Sequence, residues 1–142
     1  MTVVLDTDGM RYIALFESMT GAVVLDCIVD RENERLIFVV KQGEMGLAIG
    51  RGGENINRVR SMIDKKIEVV EYSSDASEFI SNSFQPASIK KVKIVKKDNR
   101  NLAYVEVAQK DKGLVIGKNG RNIQKVKMLA NRHHNIDDIL VI

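Results

Sequence analysis

Glu44-Met45-Gly46-Leu47-Ala48-Ile49-Gly50-Arg51-Gly52-Gly53-Glu54-Asn55-Ile56-Asn57-Arg58-Val59-Arg60 aligns without a gap to Asp111-Lys112-Gly113-Leu114-Val115-Ile116-Gly117-Lys118-Asn119-Gly120-Arg121-Asn122-Ile123-Gln124-Lys125-Val126-Lys127, 67 residues further on. Eight of the seventeen positions are identical, and Arg51/Lys118, Arg58/Lys125 and Arg60/Lys127 keep their charge. Chance does not give such a match. The chain therefore carries an internal duplication, and a duplication fixes the architecture before any single element does.

The flanks repeat in pattern. Ala22 to Val29 and Leu36 to Val40 are rich in β-branched residues, and the polar cluster Asp30-Arg31-Glu32-Asn33 between them predicts a hairpin. Val92 to Val95 and Leu102 to Val107, parted by Lys97-Asp98-Asn99-Arg100, predict a second one at the same offset. A helical pattern precedes each hairpin. In the first unit it runs through Met10, Ile13, Ala14 and Glu17. In the second it runs through Ala76, Phe79, Ile80 and Ser83, opened by Asp75 with Glu78 at capping-box spacing and stopped by Pro86. After each glycine motif, apolar residues recur at helical spacing: Ile56, Val59, Met62 and Ile63, then Ile123, Val126, Leu129 and Ala130. Each unit closes on a strand, Lys66 to Tyr72 or Ile139 to Ile142, and Thr2 to Leu5 are expected to add a short edge strand. The predicted fold class is α+β. Two tandem units, residues 1–73 and 74–142, each pack three helices on a three-stranded sheet.

Both copies read Ile-Gly-x-x-Gly-x-x-Ile, through Ile49, Gly50, Arg51, Gly52, Gly53 and Ile56, then Ile116, Gly117, Lys118, Asn119, Gly120 and Ile123. Glycines at the loop ends are expected to permit positive φ and the close approach of a ligand backbone. The second glycine opens a helix whose first N–H groups lack intrahelical partners and carry partial positive charge, an arrangement that accepts phosphate. Arg51 and Lys118 add charge inside the loops, Arg121 adds a second cation to the later one, and Arg58, Arg60, Lys125 and Lys127 follow on the helices. The isoleucines are expected on helix faces turned to the sheet or to a groove beside it. Asn55 and Asn122 recur at one helix position, with no role that the sequence assigns.

At these motifs the chain resembles the KH family, whose GXXG loop clamps about four nucleotides of single strand. The helix and hairpin ahead of each core look like the type II, prokaryotic form. Two such units in succession resemble the paired KH domains of the NusA transcription factors, and above all the short archaeal NusA-like proteins. The resemblance implies a single-stranded RNA-binding protein of transcription termination or antitermination, with RNA polymerase or ribosomal components as further partner classes. It places the RNA contacts on both loops and on the basic and isoleucine positions named above. Bacterial NusA adds a polymerase-binding domain and an OB-type domain, for which 142 residues leave no room. The competing reading is a KH-fold protein-interaction scaffold in which one unit alone binds RNA. The second unit, with Lys118 and Arg121 at its loop, is then the binder.

Composition and charge agree with a polyanion-binding protein. Residues 1–40 hold three basic and seven acidic side chains, whereas 90–100 and 110–127 each hold six basic against one acidic. Blocks of this kind are the footprint of a nucleic-acid face. Seven aromatic residues are present and none lies in either glycine repeat, which argues against recognition by aromatic stacking, as in RRM or OB modules.

Other functions find no support. A nucleotide-binding P-loop needs four residues between its glycines and then Lys-Ser/Thr, but Gly113 to Gly117 leaves three and Asn119 follows Lys118. His133 and His134 are adjacent, as are Asp137 and Asp138, so neither pair shares a helix face as metal ligands do. No nucleophile lies near a base, so no enzyme activity, cofactor or small-molecule substrate is expected. The single Cys27 is expected as a buried thiol in a reducing compartment. Met1 to Asp6 lack a basic n-region and no apolar run is long enough for a membrane span, so a cytoplasmic protein is expected.

Overall fold

Runs of Val, Ile and Leu become strands, and the polar clusters between them become turns. The computed structural model describes residues 7–142, which divide into two units between Tyr72 and Ser73. The strand expected at Thr2 to Leu5 lies outside the described residues.

The first unit runs α1 (Thr7–Thr20), β1 (Val24–Asp30), β2 (Arg35–Val40), α2 (Met45–Ile49), α3 (Glu54–Met62) and β3 (Lys66–Glu71). Its sheet has the order β1-β2-β3, with β1 antiparallel and β3 parallel to the central β2. A parallel pair needs a long crossover, and α2, the glycine loop and α3 supply it. Leu36, Phe38 and Val40 of β2 meet Phe16 of α1, Ile56 and Val59 of α3, Cys27 and Ile67 in one buried core. The Phe16 and Phe38 rings stack at 4.4 Å between centroids.

The second unit repeats this as α4 (Ala76–Phe84), β4 (Lys91–Lys97), β5 (Arg100–Glu106), α5 (Lys112–Ile116), α6 (Arg121–His134) and β6 (Asp138–Val141), with sheet order β4-β5-β6 and the same strand directions. Its core joins Ala103, Val105 and Val107 to Ile80, Phe84, Val115, Val126 and Ala130. Both units are α+β, each with three helices on a three-stranded sheet, as the duplication predicts.

The offset is not uniform. The β1–β2 turn spans Arg31–Glu34, whereas Asp98 and Asn99 alone join β4 to β5, both at positive φ as a tight hairpin turn requires. Consequently Asp26, opposite Val39, corresponds to Lys91, opposite Glu106: the central strand keeps 67 and the first strand shifts to 65. Helix α6 has 14 residues against 9 in α3, which moves the closing strand, so Lys66 beside Arg35 corresponds to Asp138 beside Leu102 at an offset of 72.

Three local expectations change. Helix α1 turns Gly9, Phe16 and Thr20 inward, with Tyr12, Ile13 and Met19 at the margin, while Met10 and Ala14 face solvent. Phe16, the bulkiest side chain of the helix to be buried, sets the rotation. Met62 in the last turn of α3 is exposed, and Ile63, already extended beyond the helix, enters the core in its place. Asp75 caps α4 by accepting the Ser77 N–H at 3.0 Å, but its own N–H donates to Ser73 Oγ at 3.1 Å rather than to Glu78. The other half of the box is thus supplied from the preceding turn.

Candidate nucleic-acid interface

Both glycine loops have one backbone conformation. Gly50 lies at φ 78°, ψ 171° and Gly117 at 79°, 169°. The third loop residue is left-handed in each, Gly52 at 62°, 21° and Asn119 at 56°, 27°. Gly53 at 79°, 15° and Gly120 at 72°, 15° then cap α3 and α6. Each first glycine donates back to the short helix (Gly50 to Gly46 O, 2.8 Å; Gly117 to Gly113 O, 2.9 Å), and each last glycine donates to the first (both 3.1 Å). Asn119 shows that this position accepts a non-glycine type that tolerates left-handed backbone.

The first glycine has a reason that the sequence does not reveal. A Cβ on Gly50 would sit 2.8 Å from the backbone N of Asn55, and one on Gly117 would sit 2.9 Å from that of Asn122. The close approach is therefore to the chain's own next helix. That asparagine is the second missed element. Asn55 Nδ2 donates to Leu47 O at 2.7 Å, and Asn122 Nδ2 donates to Leu114 O at 3.2 Å and Val115 O at 3.1 Å. These carbonyls belong to the last turns of α2 and α5, where intrahelical donors run out. Each asparagine latches the short helix to the long one and closes the loop between them. Its signal was the recurrence of Asn five residues after the first glycine.

Arg51, Gly52, Lys118, Asn119 and Arg121 are exposed, and Gly50, Gly53, Gly117 and Gly120 are half-buried beside them. Ile56 is buried in the first core, while Ile49 and Ile123 pack at the margins of their cores. Ile116 differs, being 43% exposed next to its loop. Leu47 and Leu114, at one position of the two short helices, are also about half exposed and were not singled out from the sequence.

The basic positions on the long helices separate. Arg58 bonds Glu54 Oε1 at 3.2 Å and Met19 O at 3.3 Å, so it ties α3 to the end of α1. Arg60 donates to Asn57 Oδ1 within α3. Lys127 pairs with Asp138 at 3.3 Å, and the Ile139 N–H, with Lys127, holds the Asp138 carboxyl below its usual value. Lys125 is only 3% exposed and does not reach the surface at all. It lies on the buried stripe with Val126 and Leu129, so the structure does not bring it to the interface where the sequence grouped it.

The helix starts also differ. α3 opens with Glu54, which satisfies the helix dipole with its own carboxylate, whereas α6 opens with Arg121. An anion at the first loop meets Glu54, and at the second it meets Lys118 and Arg121. The adjacent histidines serve the fold: both rings pack on Phe79, and His134 Nε2 lies 2.8 Å from Ser73 O. Asp137 Oδ2 accepts the Asn101 N–H at 2.7 Å, which pins the turn before β6 to β5. Among the described residues no cluster of His, Cys, Asp or Glu could hold a metal, and no helix is long and apolar enough to cross a membrane.

Comparison with known proteins agrees with this geometry. Residues 76–140 match the NusA-like second KH domain family, and residues 10–74 match the KH domain family. A Halobacterium salinarum protein named "Probable transcription termination protein NusA" is 40% identical over 139 residues, 98% of each chain. A Methanococcus vannielii protein of the same name is 39% identical over 142 residues, all of this chain and 81% of that one. The crystal structure of APE1850 superposes with a TM-score of 0.85 at 37% identity, covering 97% of this chain and 100% of its own.

Proposed function

The chain belongs to the NusA-like family of tandem KH-domain proteins, and from that premise we propose that it binds the single-stranded RNA of a transcript and acts in transcription termination or antitermination. Residues 1–73 and 74–142 each serve as one KH domain. The loops Gly50–Gly53 and Gly117–Gly120 hold the ribose-phosphate chain, and the bases lie in the groove between each long helix and its closing strand. The observation that carries this reading is the pair of exposed, conformationally matched loops, each with a cation at its second position and a helix start behind it. Arg51, Lys118 and Arg121 meet phosphates, and the half-exposed Ile116, with Leu114 and Leu47, offers apolar surface to bases.

The second loop contributes more, because Lys118 and Arg121 face the ligand there while Glu54 opposes it at the first. Replacing Arg51 and Gly52, and Lys118 and Asn119, with Asp-Asp pairs puts carboxylates where phosphates lie. Asp tolerates left-handed backbone, so the fold is expected to persist. Fluorescence anisotropy with a labelled single-stranded RNA is expected to show binding lost, and circular dichroism the fold retained. A folded quadruple variant that binds as tightly as the parent would end the clamp reading. In the parent, log affinity is expected to fall with log salt by roughly 0.7 per phosphate contacted.

A further inference from the structure

The second sheet has an open face built from side chains that its fold does not use. Residues alternate across a strand. Val92 of β4 and Ala103 and Val105 of β5 join the helix-side core, so Lys91, Lys93, Val95, Tyr104 and Glu106 point away from it. On β6, Ile139 and Val141 are core-side, which leaves exposed Leu140 on the open face. Lys91, Lys93, Val95, Tyr104, Glu106 and Ile142 line a depression of about 360 Å³ there. Both lysines and Ile142 are exposed, and Tyr104 is half-buried.

The corresponding positions of the first sheet are Asp26, Ile28, Ile37 and Val39, of which Asp26, Ile37 and Val39 are fully buried. The duplicated fold therefore does not call for an accessible aromatic ring among lysines at this place. Lysine on an edge strand is a common guard against strand pairing, which would account for Lys91 and Lys93 on β4. It does not account for Tyr104, which sits on the central strand directly opposite Lys93, or for exposed Ile142 at the rim.

We propose that this face is a second single-stranded RNA subsite, separate from the glycine loop. A base stacks on the Tyr104 ring, with Val95 and Ile142 beside it, while the flanking phosphates meet Lys93 and Lys97. Glu106 stands opposite Lys91 and offsets its charge, so Lys93 is the principal cation. Two features choose RNA over an acidic peptide. The flat ring offers a stacking surface that a base matches and a carboxylate side chain does not. On the open face of β4, Lys91 and Lys93 stand about 6.6 Å apart and Lys97 about 13 Å beyond Lys93, with Val95 between them, so the cations flank the ring along the strand. Aromatic residues on an open sheet flanked by basic groups are a known way to read unpaired bases. The strong positive balance of residues 90–100, six basic against one acidic, supplies the charge complementarity. The inference rests on the loop reading only in taking RNA as the ligand.

The test uses the full chain, a mixed-sequence single-stranded RNA of about a dozen nucleotides, and a hexaglutamate peptide as competitor probe. Affinities are measured for the parent, Tyr104→Ala, Tyr104→Phe, Lys93→Glu with Lys97→Glu, and the loop variant with four aspartates. Tyr104→Ala and the double charge reversal are each expected to weaken RNA binding roughly tenfold, with Tyr104→Phe near the parent, because stacking needs the ring and not the hydroxyl. At the millimolar concentrations of NMR, RNA is expected to move the amide resonances of Lys93 and Tyr104 in the parent and also in the loop variant, whose residual binding is too weak for anisotropy to register. Full affinity in Tyr104→Ala, or amide shifts at this face with hexaglutamate and none with RNA, overturns the subsite. If the loop variant alone loses binding, the loop reading stands and this one fails. If Tyr104→Ala alone loses it, the reverse holds.

Discussion

Replacing Gly50 with alanine tests the account of the loop most directly, because the structure gives two separate costs. At φ 78° and ψ 171° the backbone occupies a region that is nearly closed to any residue with a side chain, at about 1–3 kcal/mol. The new Cβ would also lie 2.8 Å from Asn55 N and from Asn55 Cγ. The first is backbone at the start of α3, so the helix must shift, and overpacking of this kind costs about 1–3 kcal/mol. Together these predict a loss of about 2–6 kcal/mol, or roughly 8–24 °C in Tm at ~4 °C per kcal/mol. Gly52→Asn is the internal control. It places in the first loop the residue that Asn119 already holds at the same left-handed angles, so its cost is expected within about 1 kcal/mol. Urea denaturation followed by circular dichroism gives both values, and RNA anisotropy on the folded fraction gives the effect on binding. If Gly50→Ala is as stable as the parent, or if Gly52→Asn is the more damaging of the two, the reasoning from conformation to sequence is wrong.

Other outcomes follow from the same geometry. Asn122→Ala removes both bonds to the end of α5 and is expected to cost about 1–2 kcal/mol, with faster amide exchange at Gly117 to Gly120 than elsewhere in the unit. Arg35 is buried between Asp30 at 2.7 Å and Glu68 at 3.1 Å, so Arg35→Ala strands two carboxylates and is expected to destabilise by about 3–5 kcal/mol in chemical denaturation. Burial pushes the Asp30 carboxyl up, but hydrogen bonds from Asn33 and Arg35 outweigh it and hold the value below the ordinary 3.8. A depressed carboxylate stabilises fully above its unfolded value, so stability is expected to fall as pH drops below 3.8 and through the folded value. A flat acid limb would contradict this. Lys118→Met is expected to reduce the salt slope of RNA binding by roughly 0.7, whereas Lys125→Met, at a buried position, is expected to leave it unchanged.

How far the sequence could be read depended on the range over which each feature is encoded. The loops were legible because glycine spacing, a basic residue and the following apolar stripe lie within a few residues, and because they occur twice. The three-stranded sheets were legible for the same reason: each hairpin and each closing strand is a short local run, and each occurs twice. What failed was whatever depended on neighbours distant in sequence. The rotation of α1 is set by Phe16 meeting Phe38, a partner 22 residues on, and periodicity alone favoured Met10. Lys125 was read as a surface cation because lysine is almost never fully buried, and its place on the inner stripe of α6 is an exception to that rule. The asparagine latches were visible as a repeat but not as bonds, since a side-chain amide reaching carbonyls seven and eight residues back leaves no periodic trace. The assumed constant offset hid the slip of β4 and β6, and with it the match of Lys91 to Asp26 and of Lys93 to Ile28.

The two units also separate what folding demands from what it does not. Their cores are filled differently: Leu36, Phe38 and Val40 on one central strand stand where Ala103, Val105 and Val107 stand on the other. Cores accept such exchanges when volume is made up elsewhere. The loop backbones differ by no more than 7° at any of the matched angles given above, although Gly52 and Asn119 are chemically unlike. Part of that constancy is structural, since the first glycine and the latch asparagine lock each other in place. The cation is not. Arg51 and Lys118 are exposed, and neither the glycine contact nor the asparagine latch involves them. A charge that the fold leaves to solvent, on a loop that the fold holds rigid, is where a ligand and not the core accounts for the residue. On that reasoning Arg51→Ala and Lys118→Ala are expected to change Tm by less than about 2 °C while together reducing RNA affinity at least tenfold. A large loss of stability with unchanged affinity would assign the two cations to the fold instead.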